Sequence, residues 1–279
     1  MLVAGSELLQ RAVREGNAVG SFNTYNLEIT RAIVAAAEAC QAPLMLAVGS
    51  GALRYGGFGV LSALVLAAAH EARVPVAVHL DHSPDVETVR HCVAAGFTSL
   101  MIDGSTLPLA ENIALTRAAV QAAPGLAVEG ELGGVAGDEE ASGAQHTDVP
   151  MTDPGQAQAF VRETGVASLA VAIGNAHGFY KGEPRLDFER LAAVRAAVPV
   201  PLVLHGASGI PDADLRRAIA LGVRKINVNT ETRYALFTAL QASLREGVPG
   251  YDVTRLFGPA MAAMQASVEQ KLRVFREGA

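Results

Sequence analysis

Residues 76–83 read VAVHLDHS. Val76, Ala77 and Val78 outline a buried strand, and His79, Asp81 and His82 then arrive together at its C-terminal end. Two later stretches repeat the design. SLAVAIGNAHG (168–178) delivers His177, and PLVLHGASG (201–209) delivers His205. A carboxylate beside imidazoles at strand ends predicts a metal or proton-transfer site. Three protein ligands leave a coordination position open for substrate, which is what catalytic zinc requires. The plainer reading is three unrelated histidines, each capped by a backbone carbonyl. Equivalent positions at the ends of three strands favour the shared metal.

Outward from this stretch the chain alternates. Strands are expected over 18–22, 43–48, 76–83, 99–102, 127–131, 168–173, 202–205 and 225–228. Helices are expected over 6–15, 27–39, 61–72, 85–95, 110–122, 154–164, 187–197, 212–220, 231–245 and 253–276. Regular βα alternation over 279 residues argues for a closed (β/α)8 TIM barrel in a single domain, 1–279, ahead of an open doubly wound sheet. A barrel gathers its strand C-termini at one mouth. It therefore predicts that Asn23, Ser50, Asp81, His82, Asp103, Glu131, His177, His205 and Asn227 face one pocket. Glu129 and Glu131 are expected on opposite faces of the fifth strand. The rhythm breaks over 133–153, where Gly and acidic residues replace apolar periodicity. A loop of that length in a compact domain is expected to be functional or disordered.

Composition narrows the partners. The chain is 50% hydrophobic and 18% charged, with a formal net charge of -6 and no Lys/Arg block, so polyanions such as nucleic acid have no electrostatic support. No apolar run reaches the roughly 20 residues of a membrane span, and residues 1–16 lack signal-peptide features. A cytoplasmic protein without membrane partners is expected. Cys40 and Cys92 lack CxxC spacing and read as buried thiols.

The neighbouring residues sharpen the chemistry. His79 lies inside its strand and suits a supporting or core role. Asp81 orients a neighbouring ligand or serves as general acid/base. Asp103 and Glu131 hold a second metal position or act as hydrogen-bond acceptors at the mouth; spacing does not decide. The glycine-rich turns at 174–178 and 206–209, with Asn227, Val228, Asn229 and Thr230 just before a helix, can present backbone amides to phosphate.

The segments HLDH (79–82), MIDGS (101–105), VEGELG (128–133), AIGNAHGFYKGEPRLDF (172–188), PLVLHGASG (201–209) and KINVNTE (225–231) resemble the class II, metal-dependent fructose-bisphosphate and tagatose-bisphosphate aldolase family. The resemblance runs from SFN (21–23) to about residue 240. It implies a (β/α)8 barrel with one Zn²⁺ per subunit on His82, His177 and His205, and with Asp81 moving the proton at the aldehyde oxygen. Asp103 and Glu131 match an alternative metal position. Glu139 matches a mobile-loop carboxylate that exchanges the C3 proton of dihydroxyacetone phosphate. Gly178, Gly206, Ala207, Ser208, Asn227, Val228, Asn229 and Thr230 match the segments that bind this substrate, with Na⁺ or K⁺ near its phosphate and Asn23 and Ser50 at the same mouth. A sugar phosphate substrate and a homodimer or homotetramer are further implications. The sequence departs from the family at Thr254 and Met261, where an Arg and a Lys are usual, which leaves recognition of a far phosphate open; Arg255 and Arg233 are candidate substitutes. Glu231 hints at the tagatose-type members. An unphosphorylated aldehyde partner is the alternative.

Three rivals are weighed. A Schiff-base aldolase would need Lys225 desolvated and inward-facing, and that residue is expected at the start of its strand, far from the mouth. A barrel metallohydrolase usually opens with an HxH pair, whereas this first strand ends SFN. A non-catalytic sugar-phosphate sensor needs no acid/base pair, yet Asp81 and Glu139 are both present.

Overall fold

The computed structural model describes residues 1–135, 137, 150–180, 182–248 and 251–277. After a leading helix α1 (Gly5–Glu15), the first half runs β1 (Val19–Asn23), α2 (Leu27–Cys40), β2 (Leu44–Gly49), α3 (Ser50–Gly56), α4 (Phe58–Glu71), β3 (Val76–Ser83), α5 (Val86–Ala95), β4 (Ser99–Ile102) and α6 (Leu109–Ala122). The second half runs β5 (Ala127–Leu132), α7 (Pro154–Thr164), β6 (Ser168–Val171), α8 (Phe188–Ala197), β7 (Leu202–Leu204), α9 (Asp212–Ala220), β8 (Val223–Val228), α10 (Thr230–Glu246) and α11 (Val253–Arg276). The strands pair in parallel and in sequence order, and β1 closes against β8. This is the expected (β/α)8 TIM barrel.

Both faces of these strands are covered, which is why they read as apolar runs without alternation. The outer face packs on the helices: Leu46, Val78, Leu80, Leu100 and Ile226 join Ile33, Val65, Phe160 and Phe275 in the main core. The inner face changes character along the axis. At the N-terminal end Val19, Met45 and Ala77 meet Leu8 and Leu9 of α1, which plug the barrel. Met101, Ala170 and Val203 form a small apolar layer. Toward the mouth the inner face becomes polar.

Three expectations are corrected. Glu129 and Glu131 share a face, because residues two apart in a strand point the same way. Both turn inward, and Gly130 between them faces α7, where an added Cβ would lie 2.8 Å from the Phe160 ring. Ser50 opens the unpredicted helix α3 instead of ending a strand. β8 begins at Val223, so Lys225 lies mid-strand, paired in register with Val19 and Val203; the charged pair Arg224 and Lys225 disguises the strand. Cys92 is buried and Cys40 half-buried, both as free thiols. No single helix among the described residues is long and apolar enough to cross a membrane.

Candidate active site and metal centre

In a regular strand the consecutive residues Asp81 and His82 would point to opposite faces. β3 avoids this with an irregularity: its pairing to β4 shifts between Leu80 and Ser83, and His82 takes the left-handed φ of 44°. Asp81 stays on the inner face, in line with His79, while His82 reaches the same cavity beside it.

There His82 meets His177 and His205, with ring centroids 4.6 to 6.1 Å apart. One nitrogen from each lies within 4.8 Å of the others. His205 Nδ1 is buried and has no hydrogen-bond partner among the described residues, while Nε2 on the other side of the ring meets Glu129 Oε1 at 2.7 Å. A ring fixed on one nitrogen and open on the other is how a metal ligand is oriented, so these residues fit an ion. Burial, followed by repulsion from the other imidazoles, holds His177 well below the usual histidine range; burial lowers His205 as well. Both therefore favour the neutral, ligating form. His82 Nδ1 lies 2.7 Å from Asp103 Oδ2 and 3.7 Å from Glu131 Oε2, so a second ligand group, His82, Asp103 and Glu131, overlaps the first.

Below the histidines lies a buried chain that the sequence reading missed. Glu129 Oε2 accepts from Lys225 Nζ at 2.9 Å, and His79 Nδ1 lies 2.8 Å from Ser99 Oγ. Burial would raise Glu129, but Lys225 and His205 hold it down at about 2. Burial and the charge of Lys225 push His79 down to about 3. Lys225 is thus desolvated and inward-facing after all, yet its Nζ is taken up by Glu129 beneath His205, away from the cavity. Strand parity was the available signal: Lys225 shares a face with Asn227, and Glu129 with Glu131.

Asn23 and Asn227 turn out to hold Asp81. Their Nδ2 groups donate to its two oxygens at 2.8 and 3.0 Å. Burial raises the Asp81 carboxyl, but the positive charge facing it, from His82 first, brings it below the usual carboxylate range. An ionised carboxylate with both oxygens fixed is a proton acceptor held ready.

The turns after β6 to β8 are cross-braced. Asn175 Nδ2 donates to the His205 carbonyl at 3.0 Å, and the Tyr180 hydroxyl bridges Ala176 N and the Gly206 carbonyl, each at 2.9 Å. Gly206 has φ 63°, and a Cβ there would sit 2.3 Å from the Ala176 carbonyl oxygen, so only glycine fits. Gly178 is likewise left-handed, at φ 89°. Asn229 caps α10 and donates to the Tyr25 hydroxyl at 3.0 Å, Thr230 opens that helix, and the Glu231 amide donates to Ser208 Oγ at 3.2 Å. The backbone of Ala207 and Val228 completes this side. At the stems of the long loop Gly134 N bonds the Pro150 carbonyl at 2.9 Å; Glu139 lies outside the described residues.

The sequence profile of the family described as "Fructose-bisphosphate aldolase class-II" matches residues 3–278. The chain belongs to this class II aldolase family. A fructose-bisphosphate aldolase of Thermus caldophilus is 41% identical, aligned over 99% of this chain and 98% of its own. A probable fructose-bisphosphate aldolase of Bacillus subtilis is 44% identical over 98% and 97%. The crystal structure of the YdjI aldolase from Escherichia coli K12 superposes with a TM-score of 0.87 at 37% identity, covering 99% of this chain and 97% of that one. As a class II aldolase the protein is a carbon–carbon lyase performing metal-dependent aldol cleavage. In this aldolase Glu129, Lys225, Asn175 and Tyr180 brace the site, and Arg54 of α3 lines its cavity.

Proposed function

We propose that the aldolase joins dihydroxyacetone phosphate to an aldehyde such as glyceraldehyde 3-phosphate, and cleaves the corresponding ketose 1-phosphate or 1,6-bisphosphate of fructose or tagatose type. The names of its relatives support the bisphosphate reading. The observation that carries the proposal is the fixed Asp81 carboxylate beside three convergent imidazoles. We assign Zn²⁺ to His82, His177 and His205, with Asp103 and Glu131 as a second position. When bound, the ion polarises the ketone and stabilises the negative charge that develops there.

In condensation C3 of dihydroxyacetone phosphate loses a proton, and its electron pair forms the new bond to the aldehyde carbon. The carbonyl π electrons pass to the aldehyde oxygen, which takes a proton. The ionised Asp81 withdraws that proton in cleavage and, in condensation, delivers it after taking one up from solvent. We assign removal of the C3 proton to Glu139. The donor phosphate is assigned to Gly178, Gly206, Ala207, Ser208, Val228, Asn229 and Thr230, with Na⁺ or K⁺ beside it. Asn23 and Asn227 serve substrate through Asp81, and Ser50 lines the cavity. A homodimer or homotetramer in the cytoplasm completes the proposal.

Incubation with dihydroxyacetone phosphate in D₂O, with and without EDTA, tests the donor half. Loss of the C3 proton signal that EDTA abolishes is expected; no exchange in metal-replete protein would overturn the reading.

A further inference from the structure

The cavity above the histidines has a volume of about 420 Å³, and its walls come from the ends of β1 to β6 and the loops that follow them. None of 206–208 or 228–230, the turns after β7 and β8, lines it. The cavity and the phosphate-type turns therefore occupy different sectors of the barrel mouth, after β1 to β6 and after β7 and β8. A substrate carbon chain laid from those turns across the three imidazoles continues into the cavity.

The charge of that space is one-sided. Asp81, Asp103 and Glu131 line it, and Arg54 is the one Lys or Arg among its lining residues. Arg54 is exposed to solvent and has no ion-pair partner among the described residues. Arg233 lies over the Tyr25 ring at 5.5 Å, Arg255 Nε lies 3.6 Å from Asp252, and Lys271 Nζ lies 3.2 Å from Glu231 and 3.4 Å from Asp212. Four residues before Arg54, Ser50 Oγ is buried against the same cavity with no hydrogen-bond partner among the described residues. Four helical residues rise about 6 Å, so a hydroxyl near the strand ends and a guanidinium farther out form a short ladder along one wall. Gly57, at φ 75°, ends α3, and the chain bends by 106° into α4. That bend keeps α3 a separate element at the rim.

We infer that Arg54 determines acceptor specificity by binding an anionic group, phosphate or carboxylate, at the end of the aldehyde remote from its carbonyl. The inference rests on the aldol reading above. An uncharged aldehyde offers a guanidinium only neutral oxygen acceptors, which bind it more weakly. An anionic one, drawn into a cavity with three carboxylates, needs a cation, and arginine matches phosphate or carboxylate with paired donors.

The test measures condensation of dihydroxyacetone phosphate with glyceraldehyde 3-phosphate, tartronate semialdehyde and glyceraldehyde, using the wild type, Arg54→Met and Arg54→Lys. Charge-assisted hydrogen bonds of this kind are worth about tenfold to a hundredfold in affinity. Arg54→Met is expected to raise KM for the anionic aldehydes by that factor with kcat nearly kept, because the contact binds ground and transition states alike. KM for glyceraldehyde should stay within about twofold, and Arg54→Lys should recover part of the loss. A loss confined to glyceraldehyde 3-phosphate identifies phosphate as the group read; one confined to tartronate semialdehyde identifies carboxylate. Equal KM values for wild type and Arg54→Met, or an equal loss on glyceraldehyde, would overturn the inference. C3 proton exchange by the wild type, run alongside, separates that outcome from failure of the aldol reading itself.

Discussion

The outer and inner faces of the same eight strands obey different rules. Outside, Leu46, Val78, Leu80 and Ile226 are 0% exposed and belong to the main apolar core. Inside, one residue away along each chain, His79, Glu129, Lys225 and His205 are as deeply buried, yet they sit in hydrogen bonds of 2.7 to 2.9 Å. The outer face is interchangeable in kind, because apolar burial is non-directional and scales with area. The inner face is specific in kind, since each polar group there is stable only with its partner. Apolar burial comes from one face and chemistry from the other, where a polar group left without its partner is costly.

The largest expected effect strikes the inner face. Lys225→Met leaves the Glu129 carboxylate buried without its cation and should cost roughly 3 to 5 kcal/mol, read by urea denaturation. A smaller loss in the double variant Lys225→Met/Glu129→Gln would show that the uncompensated charge is the cause. Asp81→Asn should lower kcat by about 10²- to 10⁴-fold with the far-UV spectrum kept and Tm lowered only modestly, by the one amide donor it leaves without an acceptor. A collapse of Tm would show that Asp81 is structural and break the division of labour. Leu80→Ala, on the outer face next door, should destabilise by about 2 to 5 kcal/mol with kcat of the folded fraction unchanged. Glu129→Gln should weaken Zn²⁺ binding about 10- to 100-fold in competition with a chromophoric chelator. Unchanged affinity would confine Glu129 to packing.

The smallest effect is a slope. His79 is held near pH 3, below its ordinary range, so its folded state prefers the neutral form. That contribution is fully present above about pH 6.5 and is lost as pH falls from there toward 3. Unfolding free energy of metal-free protein should therefore fall by up to about 1.4 kcal/mol per pH unit from this group in that window. His79→Gln should flatten the slope; an unchanged slope would assign it to other groups.

The outer face was legible in the sequence, because apolar runs between helical patterns reveal a barrel whatever their detailed packing. The convergence of the three histidines beside Asp81 was legible as well, since residues of those types at strand ends have few other uses. The inner chain was hidden for a physical reason. A buried Lys or Glu looks like any charged residue until its partner, far away in sequence, is known: Glu129 and Lys225 are 96 positions apart. Helix α3 was missed because its glycine-rich sequence, SGALRYG, carries little helix propensity and no apolar period. The shift at His82 left no trace either, as it depends on how β3 meets β4.

That shift lets two consecutive residues face one cavity, and this has a mechanical consequence. Asp81 and His82 are consecutive, so their Cα atoms are tied about 3.8 Å apart by covalent geometry. His177 and His205 come from the segments after β6 and β7, with no such covalent tie to Asp81. Flexing can detune how the three imidazoles converge, but Asp81 keeps its fixed Cα span to His82, like a gauge block inside an elastic frame.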